Sequence, residues 1–145
     1  MTKFGIDNRT SPDMALEAVS KALSDSGLNM DDIDAVVVSS VDTKVNDERQ
    51  RMHAPVMSSI LRKQMPIIEV PAVCGGGGAA FWTGLRLKYN NVLVVAVDKV
   101  LASTTSMITK EIMSAGDSIW EQEEMAHCIW KNTLKSQGMW NFRYL

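Results

Sequence analysis

A chain of 145 residues, 46% hydrophobic and 22% charged, is long enough to bury a sizeable core as one domain. Its net charge of −2 offers no electrostatic argument for nucleic acid or an anionic membrane, and no apolar run approaches the ~20 residues that span a bilayer. Met1-Thr2-Lys3-Phe4-Gly5 lacks the apolar core of a signal peptide, and Cys74 and Cys128 make neither a disulfide framework nor a metal-ligand pattern, so a reducing cytoplasm with free thiols is expected.

Residues 1–10 hold Phe4 and Ile6 without a strand pattern and read as a loop. Ser11-Pro12-Asp13 then predicts a helix start, with Ser11 as N-cap, Pro12 at the first position and Asp13 against the positive end of the dipole. Leu16, Val19 and Leu23 give the helix an apolar face over about 12–26, and Gly27 stands where a C-terminal cap belongs. Asp31, Asp32 and Asp34 lead into Ala35-Val36-Val37-Val38, a β-branched run suited to a strand buried on both faces. Residues 42–51 are polar and read as a loop.

Ala54-Pro55 opens a second helix with Val56, Met57, Ile60 and Leu61 inward, Arg62-Lys63 near its negative end and Pro66 as its stop. A strand is expected over 67–73, with Pro71 limiting its ladder bonds. Residues 77–89 read as a helix whose inner stripe is Ala80, Phe81, Leu85 and Tyr89, and Gly84 within it implies close packing. Val92 to Val97 is a third strand, again buried on both faces by composition. Helix and strand alternate, so the class is α/β with at least three parallel strands. After Asp98 the pattern weakens: 103–113 has an amphipathic flavour, 120–134 can form a helix, and Trp120, Trp130, Trp140, Phe142 and Tyr144 make a tail that should be anchored. The ten methionines read as core packing.

Chemistry concentrates at Val73-Cys74-Gly75-Gly76-Gly77-Gly78. A free cysteine can be a small buried hydrophobe. Here it ends a β-rich run, precedes four glycines and opens a helix, a position that suits an exposed nucleophile and offers N–H groups to an oxyanion. Four glycines in a row are an entropic burden unless the backbone must bend or approach something closely. The run has neither the Gly-Lys-Ser/Thr ending of a P-loop nor the spaced glycines of a dinucleotide fingerprint. His53 and His127 are the only histidines, and spacing alone brings neither ring to Cys74. No His/Cys/carboxylate cluster has metal-ligand spacing. Glu121, Glu123 and Glu124 read as a solvated helix start, and Cys128, in a helical stretch without a glycine turn, reads as structural.

These residues resemble the thiolase family, in particular the archaeal and sterol-carrier-protein-like branch of acetyl-CoA acetyltransferases. The likeness runs in order through Met1 to Gly5, Ala18 to Gly27, Asp32 to Val37, His53-Ala54-Pro55, Val70 to Ala80, Val94 to Val100, Gly116-Asp117 and Trp120-Glu121. The cysteine turn is its most specific part. The resemblance implies a thiolase-like N-terminal half over 1–145, truncated at both ends, with a mainly parallel sheet, helices on both faces and the first strand missing. It implies that Cys74 accepts an acyl group from acyl-CoA, its own N–H serving the oxyanion, with a coenzyme A thioester as substrate and no covalently bound cofactor.

Two departures stand out. Family turns commonly carry serine where this chain has Gly76, and a complete thiolase is more than twice this length. Its second half supplies a histidine for the nucleophile and a cysteine–histidine element for the α-proton, and nothing after Trp120 matches them. Three readings follow: a half-thiolase completed by a second chain, a thiolase-like chain without turnover, or an acyl-CoA- or lipid-binding, partner-scaffolding protein. The missing strand implies a homo-oligomer or a complementary thiolase-like chain as partner. The neighbouring 3-hydroxy-3-methylglutaryl-CoA and ketoacyl synthases share the cysteine at a helix start, but Thr2 to Gly5 and Asp98-Lys99 favour thiolase.

Overall fold

The computed structural model describes residues 1–3, 5, 8–41 and 52–99. All of them fall within one compact unit, Met1–Ile108. The expected loop over 42–51, the segments 103–113 and 120–134, the aromatic tail, His127 and Cys128 lie outside the described residues.

The first helix, α1, spans Ser11–Ser26. Its N-cap is Thr10, not Ser11: the Thr10 hydroxyl accepts from the Asp13 N–H at 3.2 Å, and the Asp13 carboxylate accepts from the Thr10 N–H at 3.2 Å. This reciprocal box satisfies two helix-end donors and frees Ser11 to be buried in the first turn. The Thr10 side chain, then its backbone N–H, hold the Asp13 carboxyl below its ordinary range. Gly27, at φ 70°, closes the helix in the left-handed conformation as expected.

A 3-10 turn over Met30–Asp32 leads to strand β1, Ala35–Ser39, every residue of which is buried. Helix α2 runs His53–Leu61 and stops at Arg62, which adopts φ 51°, well before Pro66. Lys63 does not sit on its own helix end. Its Nζ instead donates to the carbonyls of Met30, Asp31 and Ile33 at 3.0, 2.7 and 2.6 Å, pinning the approach to β1. Strand β2 is only Ile67–Glu69, shorter than expected, and Pro71 follows at the sheet edge, where a missing N–H is tolerated. Helix α3 spans Gly76–Arg86 and strand β3 spans Val92–Ala96.

The three strands form one parallel sheet in the order β2-β1-β3, with Val36 opposite Ile67 and Leu93. Among the described residues no strand precedes α1, and β1 pairs directly with β3, so the sheet has no internal gap. Helices α1 and α2 cover one face, where Ala15, Val19, Met57 and Leu61 pack with Val36, Val38, Leu93 and Val95. Helix α3 covers the other. The fold is thus α/β, a parallel sheet flanked by helices on both sides.

Two expectations about burial fail for one reason. The stripe of α3 that meets the sheet is Gly76, Ala80 and Gly84, whereas Phe81, Leu85 and Tyr89 are exposed. Small residues let the helix axis come close, and a Cβ on Gly84 would stand 2.7 Å from Val94 Cγ2. The large side chains are left pointing outward. Strand β3 is accordingly buried at Leu93 and Val95 but only partly at Val92 and Val94. A groove of about 620 Å³ lies between α1 and β3, lined by Met14, Ala18, Leu93 and Val95 and by the first three residues.

Candidate functional site

Because the strands are parallel, their carboxyl ends gather at one end of the sheet, where open α/β sheets bind ligands. Ser39, Val70 and Val97 mark that end: the Val70 N–H donates to Val38 O at 2.9 Å, and the Val97 N–H to Ser39 O at 3.0 Å. Beyond it Asp98 Oδ1 accepts from the Val41 N–H at 2.7 Å, and Lys99 Nζ donates to Arg9 O at 2.6 Å. The Asp98-Lys99 element thus ties the ends of β1 and β3 to the start of α1.

Cys74 lies at the same end. The chain leaves β2, turns through Pro71 and Ala72, and enters a 3-10 turn over Val73–Gly75 that runs straight into α3. The Gly75 N–H donates to Ala72 O at 2.9 Å and closes the turn. Cys74 is exposed, so it is not a packed core residue. It stands one turn ahead of α3, whose first backbone N–H groups have no partner within the helix.

Val73 has φ 44°. A β-branched side chain in that region clashes with its own backbone and costs on the order of 1–3 kcal/mol, a cost usually met where a site needs a sharp turn. The exposed Cys74 follows this kink directly. Nothing in the sequence signals it, since valine after a β-rich run argues for extended backbone.

The glycines divide by role. A Cβ on Gly76 would stand 2.2 Å from Ser39 Oγ, and one on Gly77 would meet Ala96 Cβ at 3.6 Å. Gly75 and Gly78 face open space. Only Gly76 is demanded by close approach, and the neighbour that demands it is Ser39, whose hydroxyl donates to Val70 O at 2.8 Å. Ser39 lies beyond the strand read from the valine run, and its contact with the turn spans 31 residues of sequence.

His53 does not join Cys74. It opens α2, on the sheet face opposite α3, with its ring buried and Nε2 without a hydrogen-bond partner. Its N–H and that of Ala54 donate to Glu69 Oε2 at 2.9 and 3.1 Å, so the anion at the α2 start is a side chain of β2. Among the described residues no group of three His, Cys, Asp or Glu could hold a metal ion, and no helix is long and apolar enough to cross a membrane. On the outer face of α3, Phe81, Trp82 and Leu85 are exposed, with the Arg86 guanidinium 5.3 Å from the Trp82 ring centre, and Tyr89, beyond the helix end, is exposed as well.

No protein-family model matches the chain. It is similar to β-ketoacyl-[acyl-carrier-protein] synthase III of Staphylococcus haemolyticus, 30% identical over 107 residues, a match covering 68% of this chain and 32% of that protein. The chain therefore spans about a third of the length of the curated relative it matches. The match falls on the ketoacyl-synthase side of the expected resemblance and does not single out the acetyl-CoA acetyltransferases. What it supports is a distant relation to the acyl-transfer enzymes of the thiolase fold.

Proposed function

We propose that this chain carries the nucleophile half of an acyl-transfer site, in which Cys74 accepts an acyl group from a coenzyme A thioester. The observation that carries the reading is the exposed thiol between a strained Val73 and the first turn of α3, at the carboxyl end of a parallel sheet. The Cys74 sulfur, once deprotonated, attacks the thioester carbonyl carbon, and the carbonyl electron pair moves to oxygen. N–H groups at the start of α3, with that of Cys74, receive the oxyanion. Collapse re-forms the carbonyl and expels coenzyme A as its thiolate, leaving the acyl group on Sγ.

A carbon–carbon bond-forming step needs a base for the α-carbon proton as well as a nucleophile. His53, on the other face of the sheet, does not serve Cys74. Among the described residues none is placed to act as that base, and the proposed source of the acid–base groups is a complementary thiolase-like half, with residues 1–145 acting as the N-terminal half. The apolar outer face of α3 and the groove beside β3 are consistent with a chain that works as an oligomer. A free reactive thiol fits a cytoplasmic setting. Thiolase-type exchange between acyl-CoA molecules is the proposed chemistry, with condensation, the reaction in the name of the distant synthase relative, as its alternative.

The test is intact-mass analysis after incubation with acetyl-CoA. The chain is expected to gain one acetyl group that hydroxylamine removes and that Cys74→Ala does not acquire. The separation of His53 from Cys74 favours a second reading, a non-catalytic acyl-CoA-binding chain. That reading predicts saturable binding of acetyl-CoA with no mass change.

A further inference from the structure

The Ser39 hydroxyl touches both ends of the turn that carries Cys74. It donates to Val70 O, the last carbonyl before the turn, at 2.8 Å, and it lies 2.2 Å from where a Cβ on Gly76, the first residue after the turn, would stand. Ser39 is 1% exposed, and its own carbonyl accepts from the Val97 N–H. Its backbone is therefore fixed from the sheet side, and its hydroxyl is held in place by the bond to Val70 O. Val70 is held from both sides, its N–H on Val38 O and its carbonyl on Ser39 Oγ. Between these fixed ends lie Pro71 to Gly75, and the strained φ of Val73 is what closes so short a path.

We propose that Ser39 is the positioning residue for Cys74: its hydroxyl, seated against Gly76, sets the turn that presents the thiol. The inference rests on the reading of Cys74 as the nucleophile. A hydroxyl delivered from β1 leaves room for no side chain at 76, so Ser39 and Gly76 are two halves of one fit. Moving the hydroxyl from residue 39 to residue 76 should then preserve the turn, while changing either residue alone should not.

The experiment measures Cys74 alkylation by iodoacetamide at neutral pH, resolved by peptide mass so that Cys128 is read separately, together with acetylation by acetyl-CoA. The variants are Ser39→Ala, Gly76→Ser, the double Ser39→Gly/Gly76→Ser, and Val19→Ala, a destabilised control on α1. A displaced reacting group loses on the order of tenfold or more in rate. That loss is expected for Ser39→Ala and Gly76→Ser, with recovery to within about threefold in the double variant and no change in Val19→Ala. Wild-type rates in Ser39→Ala would overturn the inference, as would losses that follow unfolding stability equally in Ser39→Ala and Val19→Ala. Should Ser39→Ala not fold, the double variant decides: a folded double variant with slow Cys74 also overturns it. If wild-type Cys74 reacts no faster than in the urea-unfolded chain and takes up no acetyl group, the nucleophile reading falls and the inference with it. A fast wild type with an equally fast Ser39→Ala removes the inference alone.

Discussion

Asp34 and Asn91 grip each other at the amino ends of β1 and β3. The Asp34 N–H donates to Asn91 O at 2.9 Å, and Asp34 Oδ2 accepts from the Asn90 and Asn91 N–H groups at 3.0 and 2.9 Å. Asn91 Nδ2 adds a bond to Asp32 O at 2.9 Å. These contacts hold the pairing of Ala35 with Val92 and so the register of the longer strand pair. A slip by one residue would turn every side chain of β3 to the wrong face.

Asp34→Ala leaves two backbone donors without their acceptor, one of them half-buried. Stability to urea should fall by about 1–3 kcal/mol. Asp34→Asn keeps one carbonyl oxygen in place and should lose less than half as much. Unchanged stability in Asp34→Ala would show that the carboxylate does not hold the register.

Gly84 and Gly78 lie in the same helix and should respond with opposite signs to alanine. At Gly84 the new Cβ stands 2.7 Å from Val94 Cγ2, a methyl of a β-branched residue with little rotamer freedom. Overpacking of about 1–3 kcal/mol then outweighs the ~1 kcal/mol gain in helix propensity. Gly78 faces open space, so Gly78→Ala should raise stability by up to about 1 kcal/mol. Paired urea denaturation curves check both.

What could be read from the chain depended on how local the cause was. Strand, cysteine, glycines and helix follow one another without a break, so the position of Cys74 was legible from neighbours alone. The parallel α/β class followed from the valine runs of β1 and β3. The stripe of α3 was not legible. Phe81 and Leu85 look like core residues until the sheet is known to pack at glycine distance, and only then do Gly76, Ala80 and Gly84 become the inner face. Thr10 takes the N-cap from Ser11 because Asp13 completes a box with the residue three before it, a signal in the sequence that Ser11-Pro12 masks. Ser39 and Val73 were hidden for a different reason: one acts across 31 residues, and the other adopts a backbone that its side chain disfavours.

On the surface of α1, Lys21 first and then Arg9 hold Glu17, pushing its carboxyl down to about 2. A carboxylate with a lowered folded-state value contributes stability above its unfolded value of about 4.3 and loses it as pH falls toward the folded value. Between pH ~5 and ~2 the wild type should therefore lose stability more steeply than Glu17→Gln. The pairs are surface pairs, so the difference should shrink in about 1 M salt, where screening is nearly complete. Unfolding midpoints across that range, at low and high salt, are the measurement. Parallel curves for the two proteins at low salt would remove Glu17 from the acid response.

Val73→Gly separates stability from presentation of the thiol. Glycine adopts φ 44° freely, so the substitution removes a cost on the order of 1–3 kcal/mol. Val73 is 39% exposed, so little burial is lost in exchange. The entropy of a freer unfolded chain offsets part of the gain, and a net increase of about 1 kcal/mol is expected. The turn, no longer held in one sharp conformation, should present Cys74 less steadily, so alkylation and acetylation of Cys74 should slow while the protein becomes more stable. Sites that hold strain for function show this opposition. A variant both more stable and at least as reactive would mean that the kink at Val73 has no part in presenting Cys74.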